Sequence, residues 1–271
     1  MNKLEAFGYI AAQAARGEIT FPTSVNAVLR LQLALEDPDC HVEEAIRLVL
    51  SEPQLAARTV ALANTAAFSA GGVQVTNVRA AVLRIGYRRL RGLVAALMVR
   101  QFGHRITDPV LRAKAGQLWA HSAHVAALAQ VLARRLTHVD PDTALFAGIV
   151  HEVGGFYLLS RADEFPGLLD DDPENWGALC EDVVSAEVMR KLSIPADVAQ
   201  AIAALRDGVL NPKPHTLLDT LLLANRYVQV ASSLAVGEDG PDVGPLDADT
   251  VRALLDEAAE TAEALGDATL V

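Results

Sequence analysis

Two histidines and a carboxylate hold most of the chemical promise of this chain. Trp119-Ala120-His121-Ser122-Ala123-His124 lies in one apolar stretch, and His151-Glu152-Val153-Gly154-Gly155 follows another at 144–150. The pair His151-Glu152 has the form of a His-Asp metal doublet with glutamate in the aspartate's place. Neutral imidazole and carboxylate suit the divalent ions that activate water in phosphoester hydrolysis. If His121 and His151-Glu152 sit on separate, converging helices, they can hold one metal. A blander reading stands beside this one. A chain with seven histidines offers such pairs by composition alone, and a buried imidazole usually has its ring nitrogens satisfied by hydrogen bonds. Asn64, in Asn64-Thr65-Ala66, reads as a residue that satisfies free backbone groups at a helix end. Cys40 and Cys180 lie in no motif with a base or a glycine-rich turn, so they read as packing or surface thiols. No P-loop, dinucleotide glycine pattern or serine-hydrolase elbow is present.

The elements that must position these residues read as helices almost throughout. Apolar residues recur at helical spacing from Val25 to Leu35, after the turn and cap residues Pro22-Thr23-Ser24. Asp37-Pro38-Asp39 breaks that helix, and a second runs from about Val42 and stops before Pro53. Pro53 suits a first helical position and opens a third. Gly71-Gly72 marks a loop, Thr76 can cap the helix after it, and Gly86 separates that helix from Leu90–Met98. Asp108-Pro109 marks a subdomain junction, followed by a long helix from about Val110 to Leu136. Asp140-Pro141 starts a helix expected to run through His151-Glu152. The acidic stretch 163–176, with Pro166, Gly167, Pro173 and Trp176, reads as loop. Helices are expected again at about 177–192, 195–205 and 216–234. A linker at 237–244 and a last amphipathic helix at 247–265 complete the chain. No strand pattern and no internal repeat are present. The expectation is an all-α protein, with a helical subdomain over 1–107 packed on a helical bundle over 108–271.

Composition excludes several classes. Hydrophobic residues make up 51% and charged residues 21% of 271, which is globular rather than disordered. Two distant cysteines give no disulfide framework. No signal peptide and no run of membrane-spanning length is evident, so the expectation is a cytoplasmic protein that does not engage a membrane. Net charge is −11, which argues against sequence-independent binding of duplex nucleic acid. The charge is unevenly placed. No acidic residue occurs between Pro53 and Thr107, a stretch that holds Arg58, Arg79, Arg84, Arg88, Arg89, Arg91, Arg100 and Arg105. Acidic residues gather after Arg161, as at 170–172 and around Asp256, Glu257, Glu260 and Glu263. Arg79, Arg84, Arg88, Arg89 and Arg91 form the candidate surface for an anionic ligand or a partner. The alternative is that these arginines are the wet face of helices, or pair with the acidic half in the fold.

Taken in order, the motifs resemble the HDOD family, the "HD-related output domain" of bacterial signalling proteins. The similarity runs through Phe21-Pro22, Asp37-Pro38-Asp39, Glu52-Pro53-Gln54-Leu55-Ala56-Ala57-Arg58 and Leu62-Ala63-Asn64-Thr65-Ala66. It continues through Val75-Thr76, Ala80-Ala81-Val82, Ile85-Gly86, Leu118-Trp119-Ala120-His121-Ser122 and the segment 146–154, and covers about residues 20–230. The resemblance implies kinship with HD and HD-GYP phosphohydrolases, and hence an HD-like bundle over 108–271. It also implies that His121 and His151-Glu152 stand where such enzymes hold metal. The position of the last metal aspartate then falls on Asn225, in Leu221-Leu222-Leu223-Ala224-Asn225-Arg226. The His-His pair common after the Ile194-Pro195 region is missing, since Ala203-Ala204-Leu205-Arg206-Asp207 stands there.

An amide is a far weaker metal ligand than a carboxylate, and glutamate for aspartate moves the donor out by one methylene. The four residues His121, His151, Glu152 and Asn225 therefore read as a vestigial site, with no catalytic residue, metal or cofactor assigned. The expected function is a non-catalytic regulatory or adaptor protein of bacterial signal transduction. It would act on a signalling protein partner or bind a small ligand such as a nucleotide. No receiver, sensor or cyclase segment is recognisable beside the HDOD-like region. The competing expectation is a metal-dependent phosphohydrolase acting on a nucleotide or cyclic dinucleotide.

Overall fold

Short-range capping chemistry sets where several helices begin, and this part of the fold is visible in a computed structural model of the chain. The structure describes residues 3–21, 23–37, 39–51, 53–64, 74–103, 106–169, 180–234 and 245–267. Pro22, Pro38, Glu52, Thr65-Ala66, Gly71-Gly72, Arg105, the acidic run at 170–172, Pro173, Trp176 and the linker at 237–244 lie outside the described residues. Among those described, every regular element is a helix, so the all-α expectation holds.

The first half contains α1 (Lys3–Ala15), α2 (Thr23–Glu36), α3 (Val42–Leu50), α4 (Pro53–Ala63), α5 (Val78–Ile85) and α6 (Tyr87–Gly103). Helix α1 lies before the first helix expected from the sequence. Its Ala/Gly-rich composition weakens the apolar pattern, yet Phe7, Ile10 and Ala14 are buried. The cap of α5 is Asn77 rather than Thr76, its side chain accepting from the Ala80 amide at 2.9 Å. Gly86, at φ 77°, ends that helix in a conformation glycine adopts without strain and turns the chain into α6. Asn64 bonds as expected at the end of α4, donating to the Val60 carbonyl at 3.0 Å. It also pairs with both main-chain groups of Val75, at 2.8 Å each.

The second half contains α7 (Pro109–Leu132), prolonged by a π turn over Ala133–Thr137, then α8 (Pro141–Val150) and α9 (Val153–Ala162). After these come α10 (Glu181–Lys191), α11 (Ala196–Ala203), α12 (Leu217–Tyr227) and α13 (Ala248–Asp267). Asp108 caps α7 by accepting from the Val110 and Leu111 amides, with Pro109 in the first turn. Asp140 does the same for α8 through the Thr143 amide at 2.8 Å. A capping box of Thr216 and Asp219 starts α12.

Two sequence expectations fail at the ends of these helices. The helix expected to run through His151-Glu152 instead breaks there into α8 and α9. The His151 ring bonds back to the Gly148 carbonyl at 2.7 Å. That is the carbonyl a continuing helix would offer to the Glu152 amide. The helix expected at 216–234 stops at Tyr227, and Val228 is extended at ψ 136°. Residues 228–234 then form a strap laid back across α7.

One core joins the two halves. Helices α7 and α8 share the most extensive contact, α12 and α13 also lie on α7, and α6 packs on α2, α8 and α9. Helix α1 reaches across to α10. A smaller cluster of Ala63, Val75, Ala81 and Ile85 holds α4 and α5 together. The stretch Pro141–Ala162 is long and apolar enough to cross a membrane by composition, but 83% of its apolar window is buried within the protein. Its apolarity is therefore that of core helices, interrupted at His151-Glu152.

Candidate functional site

The close approach of α7 and α8 builds the site. A Cβ added to Gly148 would lie 2.5 Å from the Ala126 Cα, so the two backbones cross with no room for a side chain. His121 lies five positions before Ala126 on α7, and His151 three after Gly148 at the end of α8. This crossing brings the His121 and His151 rings to 5.3 Å between centroids and their Nε2 atoms to 3.3 Å. Glu152 opens α9 beside them. Among the described residues, His121, His151 and Glu152 form a group whose ligand atoms all lie within 4.8 Å of one another. His124, one turn along α7, is exposed and stands outside it.

Hydrogen bonds fix the tautomers. His121 Nδ1 lies 2.7 Å from the Val230 carbonyl, and His151 Nδ1 lies 2.7 Å from the Gly148 carbonyl. A carbonyl can only accept, so both Nδ1 atoms carry protons, and in neutral rings both Nε2 atoms present lone pairs. Asn225 on α12 gives its amide NH2 to the Leu221 carbonyl at 3.0 Å, leaving Oδ1 3.2 Å from His121 Nε2. Three acceptors thus converge beside one carboxylate. A cation answers them all, either a proton on one ring or a metal ion.

The electrostatics follow from enclosure. Burial drives the His151 pKa down to about 3, the charge of His121 adds to this, and the bonds to Gly148 and Asn225 oppose it. Burial also raises the Glu152 carboxyl, against the lowering influence of His121 and a hydrogen bond from Ser232. The strap at 228–234 closes over this centre. Besides Val230 and Ser232, it is tied to α7 where Gln117 donates to the Ala231 carbonyl and Ser233 donates to the Lys114 carbonyl. Gly155 makes room for it, since a Cβ there would meet Leu234 at 2.7 Å and Glu152 at 3.3 Å.

Donor chemistry and spacing fit a single divalent ion. Two ligands about 2.0–2.1 Å from a tetrahedral centre lie about 3.3–3.4 Å apart, and the two Nε2 atoms are 3.3 Å apart. The Nδ1 bonds are the outer-shell contacts that orient metal-ligating histidines. The charge balance is poorer: Glu152 is the one carboxylate of the group, and Asn225 is neutral.

Of the arginines singled out in the sequence, Arg79 pairs with Glu43, and Arg84 donates to the Ala63 carbonyl at 3.3 Å. Arg88 meets Asp140 at 2.6 Å, and Arg89 meets Asp142 at 3.4 Å. Arg91 meets Glu36 at 2.6 Å, with its guanidinium 5.3 Å from the Phe146 ring centre. Arg88 and Arg89 thus link α6 to the start of α8, and Arg91 links it to α2. Sequence reading did not find the Val230 carbonyl or Ser232, since no side-chain pattern marks a carbonyl that orients a distant ring. Gly148 did carry a signal, being a lone glycine inside an apolar helical run.

Comparison with known proteins follows the same outline. The sequence profile described as HDOD domain matches residues 21–204. No curated protein sequence matches the chain significantly. A Shewanella amazonensis protein described provisionally as a metal-dependent phosphohydrolase has a similar structure. It shows TM-score 0.70, 18% identity, and coverage of 98% of this chain and 99% of its own. An HDOD domain protein of unknown function from Geobacter sulfurreducens gives TM-score 0.67, 22% identity, and coverage of 98% and 99%. A Marinobacter aquaeolei protein described provisionally as a signal transduction protein gives TM-score 0.63 and 18% identity, covering 99% of this chain and 66% of its own. At these identities the likeness is one of fold.

Proposed function

The chain belongs to the HDOD-domain family, and from that premise we propose that it is a non-catalytic regulatory module of bacterial signal transduction. It works in the cytoplasm by binding a partner protein or a small ligand. One observation carries this reading. At the position where the resemblance calls for a metal carboxylate stands Asn225, its Oδ1 3.2 Å from His121 Nε2. The amide offers a neutral oxygen where a divalent ion would need negative charge. The remaining carboxylate, Glu152, is pushed toward its neutral form by burial. The strap at 228–234 lies against the centre, with the Val230 carbonyl on His121 and Ser232 on Glu152.

A second reading, a metal-dependent phosphohydrolase acting on a nucleotide or cyclic dinucleotide, draws on the fit of the three-ligand group. His121, His151 and Glu152 would hold the ion, with the Val230 and Gly148 carbonyls keeping both imidazoles in the ligating tautomer. Such an ion lends Lewis acidity and makes a bound water more acidic. The two readings separate in one experiment. Protein purified without added metal is analysed for its elements, then assayed on a phosphoester panel with Mn²⁺, Co²⁺ or Zn²⁺. No turnover is expected. Metal-dependent turnover that disappears in His151→Ala overturns the regulatory reading.

A further inference from the structure

A cavity of about 190 Å³ opens where the two halves of the chain meet, between α2, α6, α8 and the start of α11. Pockets for drug-sized ligands run to roughly 300–1,000 Å³, so this space suits a smaller molecule. Phe146 and Val198, both buried, give it an apolar wall. Its charged wall is Glu36, Arg88, Arg91, Asp142 and Asp197. Most of these charges are already paired. Arg91 meets Glu36 at 2.6 Å, Arg88 meets Asp140 at 2.6 Å, and Arg89 meets Asp142 at 3.4 Å. The acid left over is Asp197, whose carboxylate makes no hydrogen bond or ion pair among the described residues. Burial raises the Glu36 carboxyl, Arg91 opposes this, and the charge of Asp197 adds to it. One donor of the wall is unmet as well, since the enclosed Arg91 Nε has no hydrogen-bond partner. An enclosed charged donor without an acceptor is strongly unfavourable, and native proteins place a polar group, a water or a ligand beside it.

The geometry points to a binding site, in this cavity, for a small primary amine that also carries an oxygen acceptor. The ammonium group lies between Glu36 and Asp197, the oxygen meets Arg91 Nε, and an aliphatic body covers Phe146 and Val198. A bare metal ion fits less well. Among the described residues, the acids of this cavity do not gather their oxygens as His121, His151 and Glu152 gather their ligand atoms. An ammonium group on a carbon body spans such a gap, donates three hydrogen bonds and supplies the positive charge that the wall lacks. The exposed positions of Arg88 and Asp197 leave a route from solvent. The cavity uses the start of α8, whereas the His-Glu centre lies at its end. As a regulatory ligand the amine rests on the regulatory reading, but the site itself does not. That reading is tested by phosphoester turnover and stands if no amine binds here.

Calorimetric titration of the full chain at neutral pH and fixed ionic strength tests the assignment with compounds that share one branched body. L-valine and L-valinol carry the amine and an oxygen, isobutylamine the amine alone, and isovalerate the acid alone. Saturable binding is expected for L-valine or L-valinol, weaker by about tenfold or more for isobutylamine, and absent for isovalerate. Tighter binding of valinol identifies a cation with a neutral oxygen, and tighter binding of valine a zwitterionic amino acid. Asp197→Asn should weaken the binding by about tenfold or more. Its ligand-free Tm should stay close to that of the parent, because the side chain is exposed and makes no bond among the described residues. Asp207→Asn, which removes an exposed acid outside the cavity, should bind as the parent does. Absence of saturable binding by both valine and valinol overturns the proposal, and so does isobutylamine that binds as tightly as they do. Binding that Asp197→Asn leaves unchanged overturns it as well.

Discussion

His121 and His151 point their Nε2 atoms at each other across 3.3 Å, while each donates its Nδ1 proton to a main-chain carbonyl. The arrangement holds two lone pairs face to face inside the protein. A metal ion bridging the two rings would satisfy both, whether or not any reaction follows.

Acid should weaken this protein through His151. Its pKa in the fold, about 3, lies well below the ordinary value of about 6.5. Between those values the unfolded chain binds a proton that the folded protein excludes, so stability rises with pH across that window. The contribution is fully present above about pH 6.5 and is lost as pH falls toward 3, with a ceiling of about 5 kcal/mol. Urea midpoints measured from pH 7 to 4 should fall, and His151→Gln should flatten the decline. Some slope should survive, because partial enclosure of its ring, exposed at its edge, and the neighbouring His121 lower His124 in the same sense. Identical slopes in parent and variant would refute the assignment.

Glu152 should act in the opposite direction. Its pKa is raised by burial, so its contribution is present below the ordinary carboxylate range and lost as pH rises through the raised value. Glu152→Gln should therefore gain more on the parent at pH 8 than at pH 5. Melting temperatures at the two values check this, and a difference independent of pH counts against it.

Two glycine-to-alanine changes should separate close packing from helix propensity. At Gly148 the added methyl meets the Ala126 backbone at 2.5 Å, and forced overpacking of this kind costs about 1–3 kcal/mol or more. At Gly116, exposed within α7, nothing lies within 4 Å of the added methyl. There the change should gain about 0.5–1 kcal/mol. Chemical denaturation of both variants gives the comparison, and a Gly148→Ala protein as stable as its parent would mean that α7 and α8 do not cross so closely.

Asn225→Asp should restore the charge that the centre lacks. Zn²⁺ or Mn²⁺ affinity, followed by calorimetry, is expected to rise about tenfold or more, since an anionic oxygen replaces a neutral one at 3.2 Å from His121. Without metal the new carboxylate should lower Tm, because it adds a second acid beside Glu152. Unchanged metal affinity would show that the position does not face the ion.

Local patterns were legible in the sequence wherever the physics is local. Asp108-Pro109 and Asp140-Pro141 announce α7 and α8 because a cap reaches only two or three residues along its own chain. Asn64 was readable for the same reason, as it holds the Val60 carbonyl four residues back. The helix stop at His151-Glu152 was not, because apolar periodicity continues across it and the break depends on where an imidazole points. The arginines at 88, 89 and 91 were visible as charge but not as links, since Asp140, Asp142 and Glu36 lie more than fifty residues away in sequence.

The sequence by itself determined the helical architecture, the family resemblance, and the identity of His121, His151, Glu152 and Asn225 as one set. The architecture follows from periodicity and caps, which are properties of neighbouring residues, whereas the set, Asn225 above all, is what the family resemblance implies. The tertiary structure alone decided that the set converges, which ring nitrogens face inward, and that the strap at 228–234 covers them. It also decided that Arg91 keeps an enclosed donor without an acceptor. Those outcomes depend on groups brought together from distant parts of the chain, such as the Val230 carbonyl, 109 residues from the ring it orients.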